Sequence, residues 1–198
     1  MLKSFFSENK IEAGCDEVGR GCLAGPVVAA AVILPKDYTH EILNDSKKIS
    51  PKKRAQLAEE IKKDAIAWAI AESTVEEIDQ INILNASYLA MQRSIDKLDK
   101  IPELLLIDGN RYKPHNEIPY KCIVKGDSKF LSIAAASILA KTYRDELMEN
   151  LAVEHSGYGW EKNAGYPTKQ HREGIEKFGI TDWHRKTFKL FKDKTLFD

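Results

Sequence analysis

Residues 11–34 read IEAGCDEVGRGCLAGPVVAAAVIL, and this stretch carries the reading of the fold. Residues 11–15 are short and partly apolar, and residues 27–34 form a continuous apolar run. Two buried strands with a glycine-rich segment, residues 19–25, between them account for that pattern. Ser50 followed by Pro51 marks a helix start, because serine caps and proline suits the first turn. Residues 52 to about 64 then read as a helix, and 65–71 (AIAWAIA) as a third strand. Ser73 and Thr74, each with a glutamate three residues later (Glu76, Glu77), resemble capping boxes. From there to Lys97, Ile78, Ile81, Leu84, Tyr88, Met91 and Ile95 recur at helical spacing. Residues 103–107 (ELLLI) predict a strand ending at Asp108-Gly109, and 118–124 another ending at Gly126-Asp127. A long helix follows Ser128, passing through Ile133, Ser137, Ala140, Arg144 and Leu147. Strands alternating with helices make the chain α/β.

The final fifty residues differ in character. Residues 157–165 are rich in glycine and aromatics, and two short helical segments are expected after them, separated near Gly179. The expected organisation is an α/β catalytic core, residues 1–154, with a helical extension, residues 155–198, packed on it as one structural unit. A chain of 198 residues, 43% hydrophobic and 30% charged, suits one sizeable core and argues against disorder. Its formal net charge of zero removes the signature of a strongly basic nucleic-acid binder, so any basic surface has to be local. Cys15, Cys22 and Cys122 form no CxxC pair and read as buried reduced thiols rather than a disulfide framework. The N-terminus lacks the pattern of a signal peptide, and no apolar stretch nears the ~20 residues of a membrane span. A soluble, cytoplasmic protein is expected.

Three places combine an apolar strand with a carboxylate at its C-terminal end: Asp16-Glu17, Asp108 and Asp127. Open α/β sheets bind their ligands just outside such ends. Each site neighbours a glycine (Gly14, Gly109, Gly126), which allows a sharp turn or close backbone approach. Asp127 could instead cap the following helix, and Asp108-Gly109 could be a plain turn. Neighbouring strand residues point to opposite faces, so Glu17 can join Asp16 only by lying past the strand, in the turning segment. Four converging carboxylates without a cation would raise one another's pKa and destabilise the fold. Hard oxygen donors select Mg²⁺ or Mn²⁺, and two such ions can clamp the attacking and leaving oxygens of a phosphoryl displacement. No His/Cys cluster suggests zinc; His171 and His184 read as phosphate contacts or helix surface. Local basic residues include Lys47 and Lys48, Lys125 and Lys129 around Asp127, Lys141 and Arg144, and a C-terminal group with Lys169, Arg172, Arg185, Lys186 and Lys189. A single lysine is more often a solvated surface charge, but Lys125 and Lys129 bracket a candidate ligand and are better placed for phosphate.

At this level of detail the chain resembles a known family. GCDEVGRGCLAGPVVAAAVIL (residues 14–34) looks like the signature of bacterial ribonuclease HII. NDSKKIS (44–50), LLLIDGN (104–110), KGDSKFLSIAAASILAKTYRD (125–145), GYPTKQH (165–171) and HRKTF (184–188) follow in the family's order and spacing. The resemblance implies a ribonuclease H-like core with a mixed central sheet flanked by helices, plus a small C-terminal helical extension. It implies an endoribonuclease that hydrolyses the RNA strand of RNA/DNA hybrids and nicks 5′ of single ribonucleotides in duplex DNA. Products would carry 3′-hydroxyl and 5′-phosphate ends. Asp16, Glu17, Asp108 and Asp127 would be the catalytic ligands of Mg²⁺ or Mn²⁺, two ions per site. Gly19-Arg20-Gly21 would read the 2′-hydroxyl through its backbone, the one group that separates RNA from DNA locally, with Tyr166 at the RNA–DNA junction. Lys47, Lys125, Lys129, Lys141, His184 and Arg185 complete the expected substrate contacts. A monomer with no obligate protein partner and no membrane association is expected. Where many relatives have His-Lys before the Gly-Tyr of the fifth block, this chain has Asn163-Ala164, so grip on substrate is expected to be weaker by about 1 kcal/mol for one exposed phosphate contact. Two other classes fit the residues less fully: a nucleic-acid-binding module without catalysis, and another two-metal enzyme such as a DNA exonuclease or phosphatase.

Overall fold

The computed structural model describes residues 2–41, 43 and 49–191. Lys47, Lys48 and most of the block at 44–50 lie outside the described residues. In chain order the elements are β1 (Glu12–Val18), β2 (Val27–Ile33), α1 (Pro51–Asp64), β3 (Ala67–Ser73), α2 (Val75–Asp96), β4 (Leu104–Asp108), β5 (Tyr120–Ile123), a 3₁₀ turn (Gly126–Ser128), α3 (Leu131–Glu154), α4 (Trp160–Asn163) and α5 (Lys169–Phe178). The sheet order is β3-β2-β1-β4-β5. β1, β2 and β3 run antiparallel, and β4 and β5 run parallel to β1, giving a mixed sheet.

Alternation along the strands builds the two layers. Ala13, Cys15, Ala29, Ala31, Leu105 and Ile107 pack with Ile78, Ala86, Ala90 and Met91 of α2. Val28, Ala30 and Val32 pack on the other face with Leu57 and Ile61 of α1 and Ala134, Ala135 and Leu139 of α3. Alanines on both sides let α3 lie close to the sheet. The closest approach is at Gly14, where a Cβ would stand 2.2 Å from the Ser132 carbonyl carbon. No side chain larger than hydrogen fits there.

Helix starts follow their sequence signals. Ser50 caps α1 with Pro51 in its first turn, and Thr74 and Glu77 form the capping box of α2. Ser73 does not cap; it ends β3 as a buried residue. The unbroken helix expected after Thr74 is interrupted at Asn82 (φ 66°), whose Oδ1 accepts the Leu84 and Asn85 amides at 3.0 and 3.2 Å, an internal cap that starts the helix afresh. Among the described residues no second helical segment follows Gly179: α5 ends there, and residues 180–191 form turns held by side-chain and backbone contacts to the core.

The extension shares a core with the rest of the molecule. Tyr158, Trp160, Ile175 and Leu190 pack against Leu23, Ala24, Met148 and Leu151. Cys15 and Cys22 are buried and Cys122 is half-buried, all as free thiols. Among the described residues no helix is long and apolar enough to cross a membrane.

Candidate active site

The parallel pairing of β1 with β4 sets Cys15 opposite Ile107, so the next positions, Asp16 and Asp108, emerge at the same end of neighbouring strands. Asp16 follows Gly14 and Asp108 follows Leu106 in the alternation, which puts both on the α3 face. Asp16 is 7% exposed; its carboxylate accepts the Glu17 amide at 2.8 Å and the hydroxyl of Ser137 from α3. The turn after β5 wraps the Asp108 carboxylate, whose Oδ1 accepts the Gly126 amide at 2.6 Å, with the Gly109 and Asp127 amides also donating. Gly126 leaves room for this wrapping: a Cβ would stand 2.6 Å from the Ile133 side chain and 3.3 Å from Asp108 Oδ1, so those side chains would have to shift. Asp127 therefore sits beside Asp108. The helix-capping alternative for Asp127 fails, since the N-cap of α3 is Phe130 and lacks a side-chain cap.

Glu17 corrects the sequence reading. It lies inside β1, paired with Ala29, and not in the turn beyond it. Its side chain is on the α2 face, opposite Asp16, in a groove lined by Arg20, Tyr88, Asp108, Asn110 and Arg111. Asp108, at the tip of its strand, borders that groove while also facing Asp16's side, so it links the two. Glu17 pairs with Arg20 at 3.1 Å, the arginine half exposed.

The electrostatics follow from this crowding. Burial pushes Asp16 well above the usual carboxylate range, and Glu17 and Asp108 push it further. Burial also raises Glu17, against the opposing Arg20 guanidinium, with Asp108 adding to the rise. Asp108 is raised by burial and by Asp127, although the turn amides hold its charged form. Each acid thus feels the next one along, the mark of carboxylates short of positive charge. Hard oxygen donors in that condition suit a divalent cation. Among the described residues, however, no three His, Cys, Asp or Glu side chains are gathered closely enough to form a ready-made ion cage. Arg20 on Glu17 and the turn amides on Asp108 occupy these oxygens instead.

Next to the acids is the loop that joins β1 to β2. Gly19 (φ 95°) is buried, because a Cβ there would stand 2.3 Å from Arg144 Nε; Arg20 and Gly21 are exposed. A Cβ on Gly21 would stand 3.9 Å from the Tyr166 ring, so the loop and Tyr166 share one surface. Tyr166 is 39% exposed and hydrogen-bonds Cys22. Lys125 and Lys129 are exposed on either side of Asp127, and Lys141 pairs with Asp145 at 2.6 Å.

Three expected surface contacts prove to be interior. His171, His184 and Arg185 are fully buried, so none of their side chains is available to a phosphate. Arg185 donates to the carbonyls of Gly19, Arg20 and Gly25, and Arg144, likewise buried, donates to those of Ala24, Pro26 and Ala164. A guanidinium can be buried when its five N–H groups find carbonyls, and backbone carbonyls leave no trace in a sequence. At the Asn163-Ala164 departure, Asn163 is buried as well: its amide donates to the Tyr158 carbonyl and its oxygen accepts the Gly165 amide. Position 163 shapes the turn into Tyr166 rather than facing substrate, which removes it from the expected loss of a phosphate contact. Sequence reasoning passed over Ser137 as a helix position, read Arg144 as a local basic residue, and missed Asn110 and Arg111; that the last two follow a strand end was the one available signal.

A mixed five-stranded sheet with carboxylates at the ends of adjacent parallel strands defines a nuclease of the ribonuclease H type. A profile of the family described as Ribonuclease HII matches residues 13–192. The Ribonuclease HII of Bacteroides fragilis is 59% identical over 196 residues, covering 99% of this chain and 98% of the relative. Among solved structures, the ribonuclease H2 of Pyrococcus horikoshii OT3 superposes with a TM-score of 0.77 at 24% identity, covering 90% and 94% of the two chains. The RNase HII in a complex with PCNA from Archaeoglobus fulgidus superposes with a TM-score of 0.75 at 27% identity, covering 94% and 98%. The chain belongs to the ribonuclease HII family. It is a hydrolase of the ribonuclease H type 2 class, a metal-dependent endoribonuclease acting on RNA/DNA hybrids.

Proposed function

We propose that this enzyme also nicks DNA duplexes on the 5′ side of a single embedded ribonucleotide, leaving 3′-hydroxyl and 5′-phosphate ends. The observation that carries the reading is the contact of two surfaces: a row of mutually raised carboxylates, Asp16, Glu17 and Asp108, beside the Gly19–Gly21 loop and Tyr166. One surface can do hydrolysis and the other can inspect a single sugar.

Asp16, Glu17, Asp108 and Asp127 are the residues that would hold Mg²⁺ or Mn²⁺. Two such ions would neutralise the acids, activate the attacking water and stabilise the leaving 3′-oxygen. Until then Arg20 supplies the positive charge at Glu17, so Glu17 has to exchange a guanidinium for a cation. Ser137 and the Glu17 amide orient Asp16, and the Gly109, Gly126 and Asp127 amides orient Asp108. The Gly19-Arg20-Gly21 backbone approaches the ribose, with no side chain on Gly21 between it and Tyr166, and the Tyr166 ring packs at the next sugar. Lys125, Lys129 and Lys141, together with Lys47, contact phosphates and set the register of the duplex. The described part of the extension, residues 155–191, serves to hold Tyr166 against the core. The reading places a monomeric enzyme in the cytoplasm and requires no obligate protein partner. Its relative from Archaeoglobus fulgidus, solved in a complex with PCNA, indicates the kind of partner that could bring it to DNA.

The test is a nicking assay on two duplexes that differ by one ribonucleotide, with divalent metal omitted and then restored. Metal-dependent cutting of the ribonucleotide duplex alone, on the 5′ side, and its loss in Asp16→Asn are the expected results. Binding without cutting would return the chain to the class of non-catalytic modules. Equal cutting of all-DNA duplex would make it a general two-metal nuclease.

A further inference from the structure

The segment that ends the described extension is stitched to both halves of the candidate ribose reader. Ala24 and His184 form an antiparallel bridge, with the Gly25 amide on the Trp183 carbonyl at 2.8 Å and the Arg185 amide on the Leu23 carbonyl at 2.9 Å. The Leu23 amide in turn donates to the Gly165 carbonyl at 2.8 Å, next to Tyr166. Asp79 of α2 fixes the same segment from the other side, accepting the Lys186 and Thr187 amides at 2.9 and 3.0 Å.

Arg185 sets the loop. Its Nη2 donates to the Gly19 carbonyl at 2.7 Å and its Nη1 to the Arg20 carbonyl at 3.0 Å. In a trans peptide the N–H points opposite to the C=O of the same unit. Drawing the Gly19 and Arg20 carbonyls inward therefore turns the amides of Arg20 and Gly21 outward, on two exposed residues of which Gly21 borders the Tyr166 ring. Two consecutive outward donors at a glycine turn can hold an oxygen of a sugar or phosphate.

His184 sets Tyr166. Its Nδ1 accepts the Thr181 amide at 2.9 Å, so its proton is on Nε2. His171 Nε2 accepts the Trp160 indole N–H at 2.9 Å, so its proton is on Nδ1, which donates to the Tyr166 carbonyl at 3.0 Å. At 3.2 Å the His184 Nε2–H then points at that same His171 Nε2, sharing its one lone pair with the shorter bond from Trp160. A single ordered chain of donors runs from Thr181 through both imidazoles to the backbone of Tyr166. Burial keeps both rings neutral, as the chain requires.

We propose that His184 and Arg185 are positioning residues for ribose discrimination: Arg185 aims the Arg20 and Gly21 amides, and His184, through His171, anchors Tyr166. This rests on the reading that the loop and Tyr166 inspect the 2′-hydroxyl. The experiment measures, in an Asp16→Asn background that does not cut, the ratio of affinities for the ribonucleotide duplex and its all-DNA twin. Arg185→Lys keeps a charge but not the fork, and is expected to lower that ratio about tenfold, the worth of one or two hydrogen bonds. Affinity for the all-DNA duplex should stay within about twofold, since Arg185 touches no solvent. His184→Leu is expected to lower the ratio too, and His184→Gln, which keeps a donor at the Nε2 position, to restore most of it. Should Arg185→Lys fail to fold, the His184 pair decides. Folded variants with the parental ratio, or with equal losses on both duplexes, would overturn the proposal. A parental protein that itself shows no preference would instead overturn the ribose reading beneath it.

Discussion

Replacing Gly14 by alanine tests the geometry on which the site depends. The added Cβ would stand 2.2 Å from the Ser132 carbonyl carbon and 2.4 Å from the Ile133 amide nitrogen, both backbone atoms of α3. Ordinary carbon contacts begin near 3.5 Å, so α3 must withdraw from β1 by about 1.3 Å. Backbone cannot swing aside as a side chain can, and the strand is fixed on both sides by β2 and β4. Overpacking of this kind costs about 1–3 kcal/mol, and the upper half of that range applies to a clash with a helix backbone. For a chain of this size that lowers the melting temperature by roughly 5–10 °C. The retreat also carries Ser137 away from Asp16, and carries the turn holding Asp127, which is bonded into the start of α3 through the Phe130 amide. A displacement near 1 Å at reacting groups costs about 100-fold in rate. The assay is kcat for cutting an RNA/DNA hybrid, measured well below the melting transition, alongside a thermal melt. Gly179→Ala is the control: it has φ 79° but nothing within 4 Å of the new Cβ, and lies in the extension at the end of α5. Its backbone lies in a region that is essentially glycine-only, so it should lose about 1–3 kcal/mol of stability and no kcat. A Gly14→Ala enzyme that melts and cuts like the parent would refute the claim that α3 is seated directly on β1 and thereby positions the acids.

Four further outcomes are expected. Asp16→Asn should abolish cutting yet raise the melting temperature of metal-free protein, because it removes a buried charge that its acidic neighbours disfavour; melts in chelator will show it. His184 is held neutral down to about 4 in the folded protein, against an ordinary value of 6.5, so the unfolded chain takes up a proton that the native state refuses. Its contribution is therefore complete above about 6.5 and lost as the pH falls towards 4, and His184→Gln should flatten that part of the stability–pH curve. Arg20→Ala should tighten Mn²⁺ binding by several-fold in calorimetry, since the ion no longer displaces a guanidinium from Glu17; unchanged affinity would remove Arg20 from the acids' charge balance. Lys125→Ala and Lys129→Ala should each weaken binding to every duplex alike and reduce the slope of log K against log salt by about 1.

Much of this molecule is written in local patterns. Two apolar strands around a glycine-rich loop and the Ser50-Pro51 and Thr74–Glu77 helix starts are statements about nearest neighbours along the chain, and the fold carries them; of the carboxylates expected at three strand ends, Asp108 ends β4, whereas Asp16 and Glu17 lie within β1 and Asp127 lies in the 3₁₀ turn after β5. Asn82 shows where periodicity stops being informative: apolar spacing continues across it while a side-chain oxygen starts a new helix. Glu17 was misplaced because the reading ended the strand before it, in the turning segment, whereas the strand continues and Asp108, on another strand, connects the two faces. Arg185 and His184 were misread for a deeper reason. A cation or an imidazole in a run of polar residues looks solvent-facing, since the carbonyls of Gly19, Arg20 and Gly25 that accept from Arg185 exist in every sequence and mark none. The sequence by itself determined which residue types could do the chemistry and at which strand ends they stand. Only the tertiary structure decided which charges face water and which hold the loop from within, because burial is set by what folds over a residue, and that comes from segments more than a hundred positions away.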